Sequence, residues 1–103
     1  MKYELPKEYQ EMELERKEKL KDWISNNFYP RKTMNKNHTS YGLKHIIQSD
    51  NRDYYTNDEF KGGMLEAGFI PDDVCKLNWC FNLSEKSYNE TRRRIGRERG
   101  WIY

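Results

Sequence analysis

YYTNDEFKGGMLEAGFIPDDVCKLNWCFNL, residues 54–83, is the stretch whose local signals agree most closely, and its reading decides the fold. Thr56 followed three residues later by Glu59 forms a capping box: the threonine hydroxyl takes the amide of Glu59 and the carboxylate returns to the amide of Thr56. A helix is therefore predicted to start here. Phe60, Met64 and Ala67 recur at i, i+4 and i+7, and Leu65 widens the stripe, so one face is apolar. The helix is predicted to stop at Gly68. With that glycine in the left-handed C′ position, Phe69 becomes C″ and Met64 becomes C3, the hydrophobic pair of a Schellman end. Pro71 then blocks continuation.

Gly62 and Gly63 interrupt this pattern, since a glycine inside a helix costs about 1 kcal/mol against alanine. Either another backbone element packs closely against them, or a ligand or nucleic-acid backbone approaches there. Past the turn at residues 71–73, the run Trp79, Cys80, Phe81, Asn82, Leu83 alternates large apolar with small or polar side chains, which predicts a strand with one buried face. Tyr54 and Tyr55 are good strand formers and are expected to pair with it as a minimal antiparallel ribbon. Two strands alone are marginal, so helices must cover them.

At 103 residues, with 35% hydrophobic and 35% charged side chains, the chain is expected to form one domain with a small core. Aromatic residues must supply much of that core. A net charge of +2 does not by itself demand nucleic acid. Its distribution is more telling: Lys plus Arg against Asp plus Glu is 6 − 7 = −1 over residues 1–22, 6 − 4 = +2 over 23–61, 1 − 3 = −2 over 62–83 and 6 − 3 = +3 over 84–103. Positive charge gathers at the C-terminal end. Cys75 and Cys80 are the only cysteines, and there is no signal peptide and no long apolar run, so a reduced, soluble, cytoplasmic protein is expected. Cys80 is expected to be a small core residue.

Leu5, Tyr9, Met12, Leu20, Trp23 and Ile24 recur at helical spacing, predicting one long amphipathic helix over residues 5–27 within an N-terminal segment 1–28. Glu13 with Lys17 and Glu15 with Lys19 stand in the favourable i, i+4 order on its solvated faces. Residues 29–39, YPRKTMNKNHT, are polar and basic with no period and predict an exposed loop. Its Arg31, Lys32 and Lys36 are candidate phosphate contacts, with Asn35 and Asn37 as hydrogen-bonding neighbours. Thr39 or Ser40 is expected to cap a short helix at about 40–49, with Leu43, Ile46 and Ile47 buried and His45 partly buried beside them. Residues 40–83 are thus read as a helix-strand-helix-strand core.

At the C-terminal end, residues 84–103, Ser84 or Ser87 caps a last helix, and Ser87 with Glu90 forms a second capping-box pattern. Arg92, Arg93, Arg94, Arg97 and Arg99 make this helix the main candidate binding element, because guanidinium groups beside aromatic rings suit phosphate contact, base stacking or an acidic protein. Changing Arg92, Arg93 and Arg94 together to alanine is expected to remove binding and leave the fold intact. Trp101, Ile102 and Tyr103 are expected to fold back onto the core. The fold class expected is α+β and mostly helical: about four helices on a two-stranded antiparallel ribbon, in a partly winged-helix-like order. Asp58 and Glu59 at the entry of the 56–67 helix would be repelled by phosphate, which argues for core packing of that helix over groove reading.

SYGLKH at residues 40–45, YYTNDEFKGGMLEAGFIP at 54–71 and LNWCFNLSEKS at 77–87 together resemble small proteins of unassigned role carried by phages and integrative elements of Gram-positive bacteria, which share a YGLKH, TNxEFKxxMLxAGFxP and NWxFxLS succession. The resemblance covers about the middle half of the chain and implies an origin in a mobile element and a bacterial host cytoplasm. It brings no catalytic residue with it. Asp58 departs from the pattern, standing where glycine is expected, so the turn before the helix is expected to differ.

Metal and catalytic sites are not expected. His38, His45, Cys75 and Cys80 lack the tight spacing of zinc modules. Asp50, Asp53, Asp58 and Glu59 lack the glycine and terminal glutamate of an EF-hand, and no phosphate loop or nucleophile elbow is present. No enzyme activity, cofactor or membrane contact is therefore expected. The function expected is a non-enzymatic binding protein acting on a host protein or ribonucleoprotein, such as an anti-CRISPR-type inhibitor of a defence nuclease. The alternative is a nucleic-acid-binding accessory or regulatory protein that uses the basic loop and the arginine-rich helix.

Overall fold

The computed structural model describes residues 3–100 as α1 (Lys7–Gln10), α2 (Leu14–Asn27), β1 (Pro30–Asn35), α3 (Ser40–Asn51), α4 (Asn57–Glu66), β2 (Phe81–Leu83) and α5 (Glu85–Arg99). The fold is α+β and mostly helical, with one two-stranded antiparallel sheet among the described residues.

Helix α4 forms for the local reasons its sequence predicts. Thr56 Oγ1 accepts from the Glu59 amide at 3.0 Å, and Glu59 Oε1 accepts from the Thr56 amide at 2.9 Å. Asp58 falls inside the helix and pairs with Lys61. At the far end Gly68 has φ +94°, and the amides of Phe69 and Gly68 donate to the carbonyls of Met64 and Leu65, the two bonds of a Schellman end. Replacing Thr56 with alanine removes the cap acceptor and is expected to lower the stability by about 1 kcal/mol in a denaturant titration.

Every residue from Phe60 to Leu65 is buried, so α4 is the element on which α1, α2 and α3 pack, and no face of it is free to enter a DNA groove. The paired glycines make this burial fit. A Cβ on Gly62 would stand 2.1 Å from Tyr9 Cγ, and one on Gly63 would stand 2.7 Å from Leu20 Cδ2. The closely packed elements are thus α1 and α2, and what fills the space is a tyrosine side chain and two aliphatic side chains, not a ligand.

That requirement also explains why the predicted helix over residues 5–27 is broken in two. Tyr9 and Met12 on one side of the break, and Leu20 and Ile24 on the other, all reach the core. The Met12 amide donates to the Tyr9 carbonyl in a tightened last turn, and Glu13 is extended at φ −61°, ψ 145°. The corner lets Tyr9 lie on Gly62 while Leu20 and Ile24 lie by Gly63. Lys17 closes it, donating to the Gln10 carbonyl at 3.0 Å and standing 5.3 Å from the Tyr9 ring centroid. Lys19 pairs with Asp53, so neither lysine takes the i, i+4 glutamate its spacing offers.

The ribbon differs from expectation in both members. Trp79, Phe81 and Leu83 are buried as predicted, but the strand itself spans only Phe81–Leu83 and its partner is β1, inside the segment predicted to be a loop. Tyr54 and Tyr55 lie in no strand. The register sets Pro30 opposite Leu83 and Asn35 opposite Phe81, five steps on one strand against two on the other, so β1 bulges outward between them. No alternation could disclose a strand so irregular. Its pairing is completed by side chains. Asn82, buried rather than solvent-facing, donates through Nδ2 to the Arg31 carbonyl at 3.1 Å and accepts through Oδ1 from the Ile70 amide at 2.8 Å. Asn35 is buried as well and donates to the Leu83 carbonyl at 3.0 Å.

Thr39 caps α3 through the Gly42 amide, and Leu43, Ile46 and Ile47 are buried as predicted, whereas His45 is exposed. The helix continues to Asn51 and ends at Arg52, with φ 65°. Ser84 is the cap of α5. Ser87 is not a second cap: it is buried, and its hydroxyl accepts from the Tyr29 amide and donates to the Ser84 carbonyl. The expected return of Trp101, Ile102 and Tyr103 onto the core lies outside the described residues.

Candidate functional site: a cationic cleft between two helices

Helix α5 is seated by Tyr88, Thr91 and Ile95, at i, i+3 and i+7, which are buried. The Thr91 hydroxyl donates to the Asn27 carbonyl at 2.8 Å, fixing α5 against the end of α2. Arg94 then binds across three elements. Its Nη2 donates to Asp50 Oδ2 at 2.9 Å and Asn27 Oδ1 at 3.0 Å, while Nη1 donates to Glu98 Oε1 at 2.9 Å. Trp23 Nε1 donates to the same Asp50 carboxylate at 2.7 Å. Arg99 donates to the Asp50 carbonyl at 3.1 Å, near the negative end of α3. Arg94 and Arg99 are therefore parts of the fold, and the triple alanine variant at 92–94 is not a clean binding probe.

The basic segment around β1 is engaged in the same way. Arg31 folds back on its own bulge, donating to the Thr33 and Met34 carbonyls at 3.2 and 3.3 Å. Lys36 pairs with Asp72 at 3.0 Å. Asn37 is within 3.5 Å of Glu85, which also accepts from Asn35 at 2.9 Å. Arg92 donates to the Tyr88 hydroxyl at 3.2 Å. Of the eight cationic candidates, Lys32, Arg93 and Arg97 are those for which no ion pair or hydrogen bond is seen among the described residues.

Arg93 and Arg97, one turn apart on α5, line a cleft of about 330 Å³ together with Asn26, Tyr29, Glu90 and Arg94. Two guanidinium groups one turn apart repel by a few tenths of a kcal/mol unless an anion lies between them. Beside them Tyr29 is largely exposed, offering a flat amphipathic ring. The arrangement can receive a carboxylate or phosphate in bidentate fashion together with a planar or apolar neighbour. The sequence signals the two arginines by their i, i+4 spacing opposite Tyr88 and Ile95. It carries no signal for Asn26 or Tyr29, which reach the cleft only through the contact of α2 with α5.

The residues weighed for metal binding are dispersed. His38 stacks on Tyr88 at 3.6 Å between centroids and bonds Glu85 at 2.9 Å, His45 meets Tyr41 edge-on, Cys75 is exposed and Cys80 buried. No three histidine, cysteine, aspartate or glutamate side chains are grouped as a metal site among the described residues. No helix there is long and apolar enough to cross a membrane.

Three carboxyls are held below their usual range. Hydrogen bonding from Arg94 does this for Asp50, with Trp23 adding to it. Burial pushes the Asp72 carboxyl up, but donors from Lys76, the Cys80 amide and Lys36 outweigh it. At Glu85 the donors are Asn35 and then His38. A depressed carboxyl binds fewer protons folded than unfolded, so it contributes stability above its ordinary pKa and loses it as pH falls through the folded value. The urea midpoint is expected to be insensitive to these groups at neutral pH and to fall progressively below about pH 4. Asp50→Asn is expected to flatten that fall.

Comparison of the chain with protein-family models, with curated proteins and with solved structures yields no match. The class defined by fold and site is a small, mostly helical α+β domain with a cationic, aromatic-edged cleft.

Proposed function

We propose that this chain is a non-catalytic binding protein of a phage or integrative element. It acts in the cytoplasm of a bacterial host by occupying a host protein or ribonucleoprotein, with a defence nuclease of the CRISPR type as the partner class it fits. The observation that carries this reading is the grouping of Arg93 and Arg97 with Tyr29 at one cleft, while Arg31, Lys36, Arg94 and Arg99 are engaged within the chain. Arginine and tyrosine at a recess are the side chains that dominate protein interfaces. A protein that tracks a nucleic-acid backbone needs a run of accessible cations, and its affinity falls steeply with salt.

The test is affinity capture from a host lysate with and without nuclease treatment, followed by reconstitution with the purified captured protein. A complex of fixed stoichiometry that survives nuclease is expected. Recovery of nucleic acid alone, with affinity falling steeply as salt rises, would transfer the assignment to an accessory nucleic-acid-binding protein of the element.

A further inference from the structure

A second surface, independent of the α2/α5 cleft, is built around Lys44. This residue is only 4% exposed, yet no carboxylate among the described residues pairs with it. Its ammonium donates to Gln48 Oε1 at 3.1 Å and lies 5.2 Å and 5.0 Å from the ring centroids of Tyr41 and Tyr54. Those two tyrosines are 54% and 65% exposed. They shield a buried cation while leaving more than half of their own surface in water, and the cation holds them in place. His45, also exposed, meets Tyr41 edge-on at 4.7 Å. The nearby carboxylates are engaged elsewhere, Asp50 with Arg94, Asp53 with Lys19 and Asp58 with Lys61. The strip is aromatic at its surface, with the Lys44 charge beneath the rings and Arg52 exposed two residues before Tyr54 in the chain.

Adjoining this strip is a groove of about 320 Å³ lined by Glu8, Glu11, Met12, Glu13, Arg16 and Glu59. Arg16 joins the two surfaces, standing 3.4 Å from Glu59 and donating to the Tyr54 carbonyl at 2.8 Å. Glu8, Glu11 and Glu13 are exposed, and no cation is seen on them among the described residues. A polyanion drawn to the tyrosines would meet these carboxylates, which argues against nucleic acid here. The partner needed offers carboxylates to the strip and a cationic aromatic surface to the groove. This chain carries both, side by side, and adjoining patches of opposite character are self-complementary about a two-fold axis through their seam. We infer that this face is the interface of a two-fold dimer of this chain, with Tyr41 and Tyr54 of each copy packed on the acidic groove of the other.

Sedimentation velocity and light scattering of the intact protein over a concentration series test the inference. A monomer–dimer equilibrium in the micromolar range, weakened by salt, is expected. Tyr41→Ser with Tyr54→Ser, and separately Glu11→Lys with Glu13→Lys, are each expected to raise the dissociation constant about tenfold or more. All four side chains are exposed, so circular dichroism should not change. Should the tyrosine pair disturb the fold through Lys44, the glutamate pair decides alone. Mixing the two variants restores one intact contact of the two, so the mixture is expected to associate more tightly than either variant by itself. A monomeric mass up to about 500 µM would overturn the dimer, as would a dimer that neither variant weakens. Monomers that bind a short thymidine oligonucleotide, with the tyrosine variant abolishing it, would overturn it in favour of nucleic acid.

Discussion

Gly62→Ala is expected to destabilise the protein by about 3 kcal/mol, against a local preference of about 1 kcal/mol in the opposite direction. Helix propensity alone makes alanine the better residue in the middle of α4. The added methyl would, however, stand 2.1 Å from Tyr9 Cγ and 2.3 Å from Tyr9 Cβ, and the Cβ is fixed by the backbone of α1, so no side-chain rotation relieves the contact. Relief requires α1 to leave α4 and expose Tyr9, whose side chain is fully buried. Thermal and urea unfolding would show this as a midpoint lower by more than about 10 °C. Gly63→Ala is the internal comparison. Its nearest neighbour is the tip of Leu20 at 2.7 Å, a branched end that can change rotamer, so the loss there is expected to be smaller, about 1 kcal/mol. A Tyr9→Gly, Gly62→Ala double variant should cost less than the sum of its parts, because glycine at position 9 removes the Cβ and ring atoms that the new methyl meets. Equal or greater stability of Gly62→Ala would mean that Tyr9 does not occupy the place above that glycine.

The second large effect separates binding from folding along one helix. Arg93→Glu with Arg97→Glu reverses both charges at the cleft and is expected to weaken partner binding about 100-fold or more, while stability stays within about 0.5 kcal/mol. Arg94→Ala is expected to do the reverse. It removes the donors that hold Asp50, Asn27 and Glu98 together and leaves the Asp50 carboxylate with Trp23 as its remaining side-chain donor. A loss of about 2 kcal/mol is expected, with binding reduced only as far as the folded fraction falls. Measuring both variants by chemical denaturation and by titration against the reconstituted partner gives the comparison. If Arg94→Ala kept full stability and lost binding, the cross-link to α3 would have to be discarded as a structural role.

What the sequence determined by itself is what lies within one helical turn or one alternation of its own signals. The start and end of α4 follow from Thr56, Glu59, Gly68 and Phe69, whose partners are only a few residues away. The buried set Leu43, Ile46, Ile47, and the set Trp79, Phe81, Leu83, follow from spacing. The mostly helical α+β class follows from these together. Tertiary structure alone decided the rest. The identity of the strand opposite β2 depends on a register that skips residues 31–34, and side-chain bonds from Asn82 and Asn35 compensate for it; such pairing leaves no periodic trace. The break between α1 and α2 depends on Tyr9 finding Gly62 across more than fifty residues of chain. The division of the arginines into those that hold the fold and those that face outward depends on where Asp50 and Asn27 come to rest. Local signals act through nearest neighbours along the chain, whereas these choices were made by excluded volume and by buried polar groups meeting partners far away in sequence, which only the packed molecule brings together.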